Sequence, residues 1–313
     1  IYDISLEAED QNQWKPCKVF DNWQPGTNFE IDPDTQDCPH GPHYKDENII
    51  CPYGFWGFKH IIEIPASQRF RHLQKKISLS DDGKGEIIVS YHAAFASNEN
   101  QSWPNHRRNL ENKLKDYHTN LLEYKTKDSL LETLTKDGAE FIYFFCHGIR
   151  GTPPKIDTAI PYYTKGDHKV KNQNLSKSWI PYLLIGNNER IDLRSLNKWL
   201  GDVTELNTDH WMKTSPLVFI NGCHTAELSP KALADFVSFF ISANASGVIG
   251  TEVTIADTLA AEIAELFFLY LLDKDKCGNV GKAIYKMLFD LLAIGSVMGL
   301  AYTPYCSSEL HLE

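Results

Sequence analysis

The sequence predicts an α/β fold in which a mostly parallel sheet is covered by helices on both faces. Three nearly continuous apolar runs of strand length support this prediction, at residues 139–146, 215–222 and 246–252. Such runs are typical of strands that are buried on both faces. Segments of about 10–16 residues with a helical pattern alternate with them, as expected of the crossover helices in a parallel sheet.

The predicted elements follow one another from about residue 84, and local start and stop residues mark their boundaries. Pro104 stands at the start of one helix, Gly138 closes another, and Ser229 caps a third in front of Pro230. The "GNNE" stretch (186–189) predicts a turn before a strand and a helix. Besides the three central runs, the predicted strands cover residues 85–95, 119–124 and 298–305, and the predicted helices cover residues 104–118, 127–138, 229–245, 256–272 and 280–295.

Residues 1–78 differ from the rest of the chain. They are rich in Pro, Asp, Asn, Trp and Cys and show no long period of either the helical or the strand kind. We predict an irregular N-terminal segment here, the remnant of an upstream regulatory domain or the linker to one, and a single α/β domain over residues 79–313. The first residue is Ile1 rather than Met, which favours a fragment or a processed product.

The composition narrows the range of functions. Hydrophobic residues make up 42% of the 313 residues, and the net charge of −10 argues against a surface that follows nucleic-acid phosphates. The most apolar helix candidate (259–272) carries two glutamates and is too short to cross a bilayer. Seven cysteines without a framework spacing, and no signal peptide, predict a cytoplasmic protein. Dinucleotide, phosphate-loop, serine-hydrolase and zinc-protease motifs are absent from the sequence.

Two of the central runs end in reactive side chains. The run "FIYFFCHG" (141–148) ends at His147 and Gly148, and "PLVFINGCHTAEL" (216–228) carries Cys223 directly after its strand-length part. The carboxyl ends of parallel strands meet at one edge of a sheet, so these residues are expected to meet there. A thiol needs a nearby imidazole to become a thiolate nucleophile. The backbone N–H groups of Gly148 and Cys223 are the predicted oxyanion hole.

Two neighbouring residues compete for roles in this pair. Cys146 adjoins His147, but successive strand residues point to opposite faces, so Cys146 is expected in the core. His224 adjoins Cys223 and is expected to shape the turn. For either residue of the pair taken alone, the alternative is an inert buried cysteine or a histidine that caps a strand.

The order of these elements resembles the CHAT peptidase family, relatives of caspases and separase. The matching stretches are "FFCHG", "INGCHTAEL", "SGVIGTEVTIADTLAAEIAELFFLYLL", "KAIYKMLFDLLA" and "LAYTPY", which together extend over about residues 84–306. The resemblance implies a caspase-like three-layer α/β/α sandwich. It also implies that His147 is the general base and Cys223 the nucleophile of peptide hydrolysis through a thioester acyl-enzyme.

The same resemblance implies an acidic pocket for a basic P1 side chain. Asp257 resembles the acidic residue that follows the corresponding strand in separase-like enzymes, and Glu252 is the second candidate. A carboxylate at the base of a pocket selects Arg or Lys by charge. The alternative is that Asp257 complements the dipole at the N-terminus of a helix.

The N-terminal segment also contains residues that bind metals in other proteins. The spacing "CPHGPH" fits no common zinc finger, and we expect Cys and His residues to be scattered in a loop-rich segment. We therefore predict no metal and no cofactor, while a metal-dependent binding domain built on the N-terminal cysteines stays open. The residues concerned are Cys17, Cys38, His40, His43 and Cys51.

The leading hypothesis is a cytoplasmic CHAT-type cysteine endopeptidase that cuts a protein partner after a basic residue. By family resemblance it is the effector of a regulated bacterial antiviral-defence or cell-death system, controlled by a sensor domain or partner protein. The second hypothesis is a catalytically silent caspase-fold module for protein interactions. Neither hypothesis involves a membrane or direct binding of nucleic acid.

Overall fold

The chain is described by a computed structural model. It covers residues 15–19, 38–41, 49–64, 74–79, 85–134, 139–151, 180–200, 211, 214–223, 230–251, 253, 255–273, 275 and 277–313.

Among the described residues, eight strands form the central sheet of the molecule. From one edge to the other its main path consists of β11 (Tyr302–Tyr305), β10 (Gly247–Thr251), β9 (Leu217–Cys223), β6 (Phe141–Gly151), β4 (Gly85–Tyr91) and β5 (Thr119–Glu123). The five strands from β10 to β5 are parallel, and β11 runs antiparallel to β10. A hairpin of β7 (Ile180–Ile185) and β8 (Glu189–Asp192) pairs with the end of β6. The predicted mostly parallel sheet is confirmed.

Helices cover both faces of this sheet. Alternate residues of β6 enter two separate cores: Phe141, Tyr143 and Phe145 enter one, and Ile142 and Phe144 the other. The first core contains residues of α2 (Ser102–Leu114), α6 (Asp257–Leu272) and α7 (Val280–Ala293), and the second contains residues of α3 (Lys127–Leu134), α4 (Leu193–Leu200) and α5 (Pro230–Ser242). Burial of each large apolar side chain contributes about 1.5–3 kcal/mol. The three-layer α/β/α architecture is therefore present.

The strand that carries His147 is longer than the sequence predicts. The apolar run predicts that the strand ends at residue 146, whereas β6 continues to Gly151. Residues 147–151 pair antiparallel with β7, from His147↔Leu184 to Gly151↔Ile180. This partner lies far along the chain, so a local apolar pattern carries no sign of it.

Two other predicted strands are shorter in the structure. The strand predicted over 85–95 ends at Tyr91, and a 3-10 turn follows at Ala93–Ala96. The closing strand predicted over 298–305 begins only at Tyr302, behind a 3-10 turn at Met298–Ala301.

Part of the N-terminal segment packs onto the sheet domain. The buried ring of Phe58, in the short helix α1 (Trp56–Lys59), lies 5.6 Å from the ring of Phe289 in α7. The Tyr285 hydroxyl donates to the Phe58 carbonyl at 2.9 Å, and the Ile64 N–H donates to the carbonyl of Pro304 in β11 at 3.1 Å. The remaining short strands are β1 (Lys15–Pro16), β2 (Ile49–Ile50), β3 (Lys76–Ile77) and β12 (His311–Leu312).

The boundary at residue 78 stays a prediction. No described helix combines the length with the apolar composition that a bilayer crossing demands.

Candidate active site

His147 and Cys223 occupy adjacent positions at the end of the parallel ladder between β6 and β9. Their α-carbons are register partners, two places after the pair Phe145↔Asn221. Neighbouring strands in a sheet lie about 4.8 Å apart. The structure thus brings together two positions that the chain separates by more than 70 residues.

Gly148 follows His147 at the point where β6 changes partners. It is buried and pairs with Leu183 of β7, while β9 ends at Cys223. The backbone of β6 therefore runs on beyond the end of β9. The oxyanion-hole role of Gly148 and Cys223 stays a prediction.

Aromatic rings pack around the half-buried imidazole of His147. Its ring centroid lies 4.6 Å from that of Phe95 and 4.7 Å from that of His92. Phe95 in turn packs against Phe145 of β6 at 4.9 Å. A bulky side chain that is packed in this way loses rotamer freedom, so these contacts restrict the orientation of the His147 ring.

His92 is a buried histidine beside the predicted dyad to which the sequence analysis gave no role. Its Nδ1 accepts a hydrogen bond from the Ala94 N–H at 3.3 Å, so the proton is assigned to Nε2, which donates to Asn188 Oδ1 at 3.0 Å. Asn188 lies in the turn between β7 and β8 with φ of +62°. The sequence pattern that points to His147 is also present at His92: in both places an apolar strand is followed by a histidine.

Asp257 is the first residue of α6, and its carboxylate joins this helix to the loop after Phe95. Asn100 Nδ2 donates to Oδ2 at 2.8 Å, and the Thr258 N–H donates to Oδ1 at 2.9 Å. Burial acts to raise the pKa of Asp257, but hydrogen bonds from Asn100, Ser102 and the Thr258 N–H outweigh it and hold the pKa below its usual value. Asp257 is therefore a charged group at a helix N-terminus, hydrogen-bonded to a loop that begins next to His147.

The rival cysteines have environments unsuited to nucleophilic attack. Cys146 is fully buried in the core opposite the one that contains Phe145, so its predicted place in the core is confirmed. Burial raises the pKa of Cys306 to about 12 and also raises the pKa of Cys17 and Cys51. Without a bound cation, these thiols are protonated at neutral pH. His224 and Glu252 lie outside the described residues.

A buried polar network lies beneath the dyad positions, between the sheet and helices α2 and α6. Asn221 donates through Nδ2 to the Tyr143 hydroxyl at 3.0 Å and to the Ala260 carbonyl at 2.7 Å, and it accepts from the Tyr302 hydroxyl at 2.6 Å. The Tyr143 hydroxyl also contacts His106 Nε2 at 3.0 Å. The network joins β6, β9, β11, α2 and α6 directly below the positions of His147 and Cys223.

The hydrogen bonds of His106 fit a neutral ring. Nε2 accepts from the Tyr143 hydroxyl, and Nδ1–H donates to Glu265 Oε1 at 2.9 Å. Burial lowers the pKa of His106, and the favourable charge of Glu265 does not compensate. Although burial acts to raise the pKa of Glu265, His106 and Lys113 hold it below its ordinary value. We assign a neutral imidazole beside an ionised carboxylate.

This assignment predicts that acid destabilises the protein. In the unfolded chain His106 titrates near pH 6.5, whereas in the fold it remains neutral to lower pH. Below about pH 6.5 the unfolded state therefore binds a proton that the folded state does not, and the free energy of unfolding falls with pH. The melting temperature is expected to fall between pH 7.5 and 5.5, with a flatter curve for His106→Gln. Parallel curves for the two proteins would contradict the prediction.

Three of the five N-terminal Cys and His residues converge. The Sγ atoms of Cys17, Cys38 and Cys51 lie within 4.8 Å of one another, and all three residues are buried. The expectation that these residues are scattered is wrong, because strand pairing and turns gather residues that no finger spacing relates. His40 is exposed and is not part of the group, and His43 lies outside the described residues.

Comparisons with known proteins show which proteins the chain is similar to. A probable protease of Vitiosangium sp. (strain GDMCC 1.1324) is 30% identical over 284 residues, which cover 88% of this chain and 32% of that protein. The chain thus spans about a third of the length of this relative. The Saccharomyces cerevisiae separase in complex with securin matches 77% of this chain and 13% of its own, with 10% identity and a TM-score of 0.41. At that score the likeness carries no argument about function.

The model of the CHAT domain matches residues 66–283, which is more than half of the chain. The matched range includes the central strands β4, β6, β9 and β10 and both residues of the predicted dyad. On the strength of this match, the chain belongs to the CHAT domain family.

Proposed function

We propose that the chain is a cysteine endopeptidase in which His147 and Cys223 form the catalytic dyad. The observation that carries the proposal is their register partnership at the end of the β6–β9 ladder, on adjacent strands of one sheet. The similarity to a probable protease over 88% of the chain supports the reaction class. A cytoplasmic setting keeps such a thiol reduced.

In the proposed reaction, the His147 imidazole removes the proton from the Cys223 thiol. The thiolate attacks the scissile carbonyl carbon, and the carbonyl oxygen takes the negative charge, which the N–H groups of Gly148 and Cys223 stabilise. The tetrahedral intermediate collapses to a thioester, while His147 returns the proton to the leaving amine. Water, deprotonated by His147, then attacks the thioester carbon. The C–S bond breaks, the acid product leaves, and His147 returns the proton to the Cys223 sulfur.

His92 and Phe95 have a positioning role in this scheme. Their rings contact the His147 ring, and His92 is itself held by Ala94 and Asn188. These contacts restrict the orientation of the imidazole; the dyads of the family generally lack a third carboxylate that would do so.

The nucleophile is tested by covalent labelling. A peptidyl acyloxymethyl ketone with Arg at P1 is expected to add its acyl-methylene group to Cys223, located by tandem mass spectrometry of the digested protein. Labelling is expected to slow strongly in His147→Ala and to be unchanged in Cys277→Ser, which removes a partly exposed cysteine outside the dyad. Labelling at another cysteine, or equal labelling of His147→Ala, would contradict the proposal and leave the silent interaction module.

We further propose that the substrate is a protein cut after Arg or Lys, with Asp257 as the acidic group of the P1 pocket and Glu252 as the second choice. The low pKa of Asp257 keeps this carboxylate ionised at neutral pH. It accepts a hydrogen bond from Asn100, in the loop that begins at Phe95, and Phe95 contacts His147. An ionised, partly buried carboxylate pairs well with a guanidinium group.

Removal of the Asp257 charge is therefore expected to remove the preference for basic residues. In Asp257→Asn, kcat/KM for an Arg substrate should fall by about 10–100-fold while that for a norleucine substrate stays within about threefold. The matched control is Glu262→Gln, an exposed carboxylate in the next turn of the same helix. Equal losses on both substrates in Asp257→Asn would show that the carboxylate supports the helix and does not select P1.

By resemblance to the family, we also propose that this chain is the effector of a regulated bacterial antiviral-defence or cell-death system. We propose that a sensor domain or partner protein controls access to its site.

A further inference from the structure

Three cysteines outside the dyad form a group with the dimensions of a metal site. Cys17 Sγ lies 3.6 Å from Cys38 Sγ, and with Cys51 Sγ all three atoms lie within 4.8 Å of one another. Tetrahedral coordination with Zn–S distances of about 2.3 Å separates pairs of sulfur ligands by about 3.8 Å. None of the three cysteines forms a disulfide bond, so each keeps a sulfur that can bind a cation.

Backbone pairing and turns bring these sulfurs together. β1 and β2 are parallel, with the pairs Lys15↔Ile49 and Pro16↔Ile50, so the next residues on each strand are Cys17 and Cys51. This register makes the two cysteines neighbours.

Two of the three cysteines also lie in the same kind of turn. Cys38 and Cys51 each begin a Cys-Pro-X-Gly turn, in which the glycine N–H (Gly41 or Gly54) donates to the cysteine carbonyl at 3.0 Å. Gly41 has φ of +106°, which residues with a side chain rarely adopt. The hydrogen-bonded turn therefore restricts the backbone that carries each of these two sulfurs.

Backbone donors also point at two of the sulfurs. The Val19 N–H donates to the Cys17 sulfur and the Tyr53 N–H to the Cys51 sulfur. Hydrogen bonds of this kind orient metal-bound thiolates and offset their negative charge. The exposed Lys15 and Lys18 on either side of Cys17 add positive charge to the same segment.

We propose that Cys17, Cys38 and Cys51 bind one Zn²⁺ ion as thiolates. Three protons leave as the three bonds form, and one position of the tetrahedron remains for water or an imidazole such as that of exposed His40. Thiolate ligands in tetrahedral geometry favour zinc over the oxygen-seeking cations, and an iron–sulfur cluster takes four cysteines.

The consequence of the ion is structural. Cys51 leads directly into the turn before α1, whose Phe58 is buried against Phe289 of α7. A zinc ion would therefore tie residues 15–19 and 38–41 to the part of the N-terminal segment that is packed on the sheet domain. Closing long loops with a metal contributes folding free energy directly.

The test uses the whole chain, prepared without a histidine tag, and measures metal content by mass spectrometry. About one zinc per chain is expected, falling to less than about a quarter in Cys17→Ser, Cys38→Ser and Cys51→Ser, and unchanged in the control Cys277→Ser. X-ray absorption at the zinc edge of the wild-type protein should show three sulfur ligands at about 2.3 Å. Zinc removal by a chelator is expected to lower the melting temperature by about 5 °C or more, with recovery on re-addition of zinc.

Several results would overturn the proposal. The first is a wild-type protein that contains no zinc and shows no thiolate-to-cobalt charge-transfer band when Co²⁺ is added. The second is bound zinc whose ligands include no sulfur. The third is a disulfide between two of the three cysteines in freshly purified protein. The spectroscopic measurements are made on the wild type, so they decide the matter even if the serine variants fail to fold.

Discussion

Cys223→Ala is expected to lower kcat for hydrolysis of an Arg peptide by at least about 10³-fold, with little change in KM. The thiolate forms the thioester, and no water molecule held by His147 alone replaces that covalent step. His147→Ala should cost about as much, because a thiol without its base is mostly protonated at neutral pH. The measurement is the steady-state rate of release of a fluorogenic leaving group.

The double variant gives the sharper form of this prediction. Residues that act as one unit show non-additive losses, so Cys223→Ala/His147→Ala should be about as slow as either single variant. Cys146→Ala is the matched control, since this fully buried cysteine adjoins His147 but belongs to the opposite core. If hydrolysis survives in Cys223→Ala and is lost in Cys146→Ala, then Cys146 is the nucleophile and the proposed dyad is wrong.

Asn221→Ala is expected to reduce the free energy of unfolding by about 3–5 kcal/mol, the largest stability loss we predict. The substitution removes three buried hydrogen bonds at once, to Tyr143, Ala260 and Tyr302, and leaves the Tyr302 hydroxyl without its acceptor. Buried polar networks of this kind are costly to break because each orphaned group was desolvated on folding. Urea denaturation at pH 7.5 measures the loss.

Two further variants distinguish the loss of the whole network from the loss of a single hydrogen bond. Tyr302→Phe removes the hydroxyl that donates to Asn221 and should cost about 1–3 kcal/mol. The double variant with Asn221→Ala should lose less free energy of unfolding than the sum of the two single losses. Ser90→Ala removes one hydrogen bond, to the Tyr124 carbonyl, from another buried strand residue and should cost about 1 kcal/mol. If Asn221→Ala also loses only about 1 kcal/mol of unfolding free energy, the network contributes no more to stability than a single hydrogen bond.

The sequence predicts the layers of this molecule well because local patterns encode them. Apolar runs such as 141–146 have the right length for buried strands, and Pro230 stands at the first residue of α5. The meeting of His147 with Cys223 also follows from a general property of parallel sheets. These predictions needed no knowledge of distant contacts.

The features that the sequence does not predict depend on pairing between distant segments. The continuation of β6 to Gly151 requires β7, and the gathering of Cys17 with Cys38 and Cys51 requires the β1–β2 pair and two turns. The contact of His92 with His147 needs the bend after β4 that packs Phe95 beside both rings. A single sequence contains the residues of such contacts but not their partners.

The pairing of Gly151 with Ile180 has a consequence for how this protein can change over evolution. These two facing residues fix the backbone at both ends of residues 152–179. A change in the length of that stretch can therefore be accommodated without a shift in the β6–β9 register, which pairs His147 with Cys223.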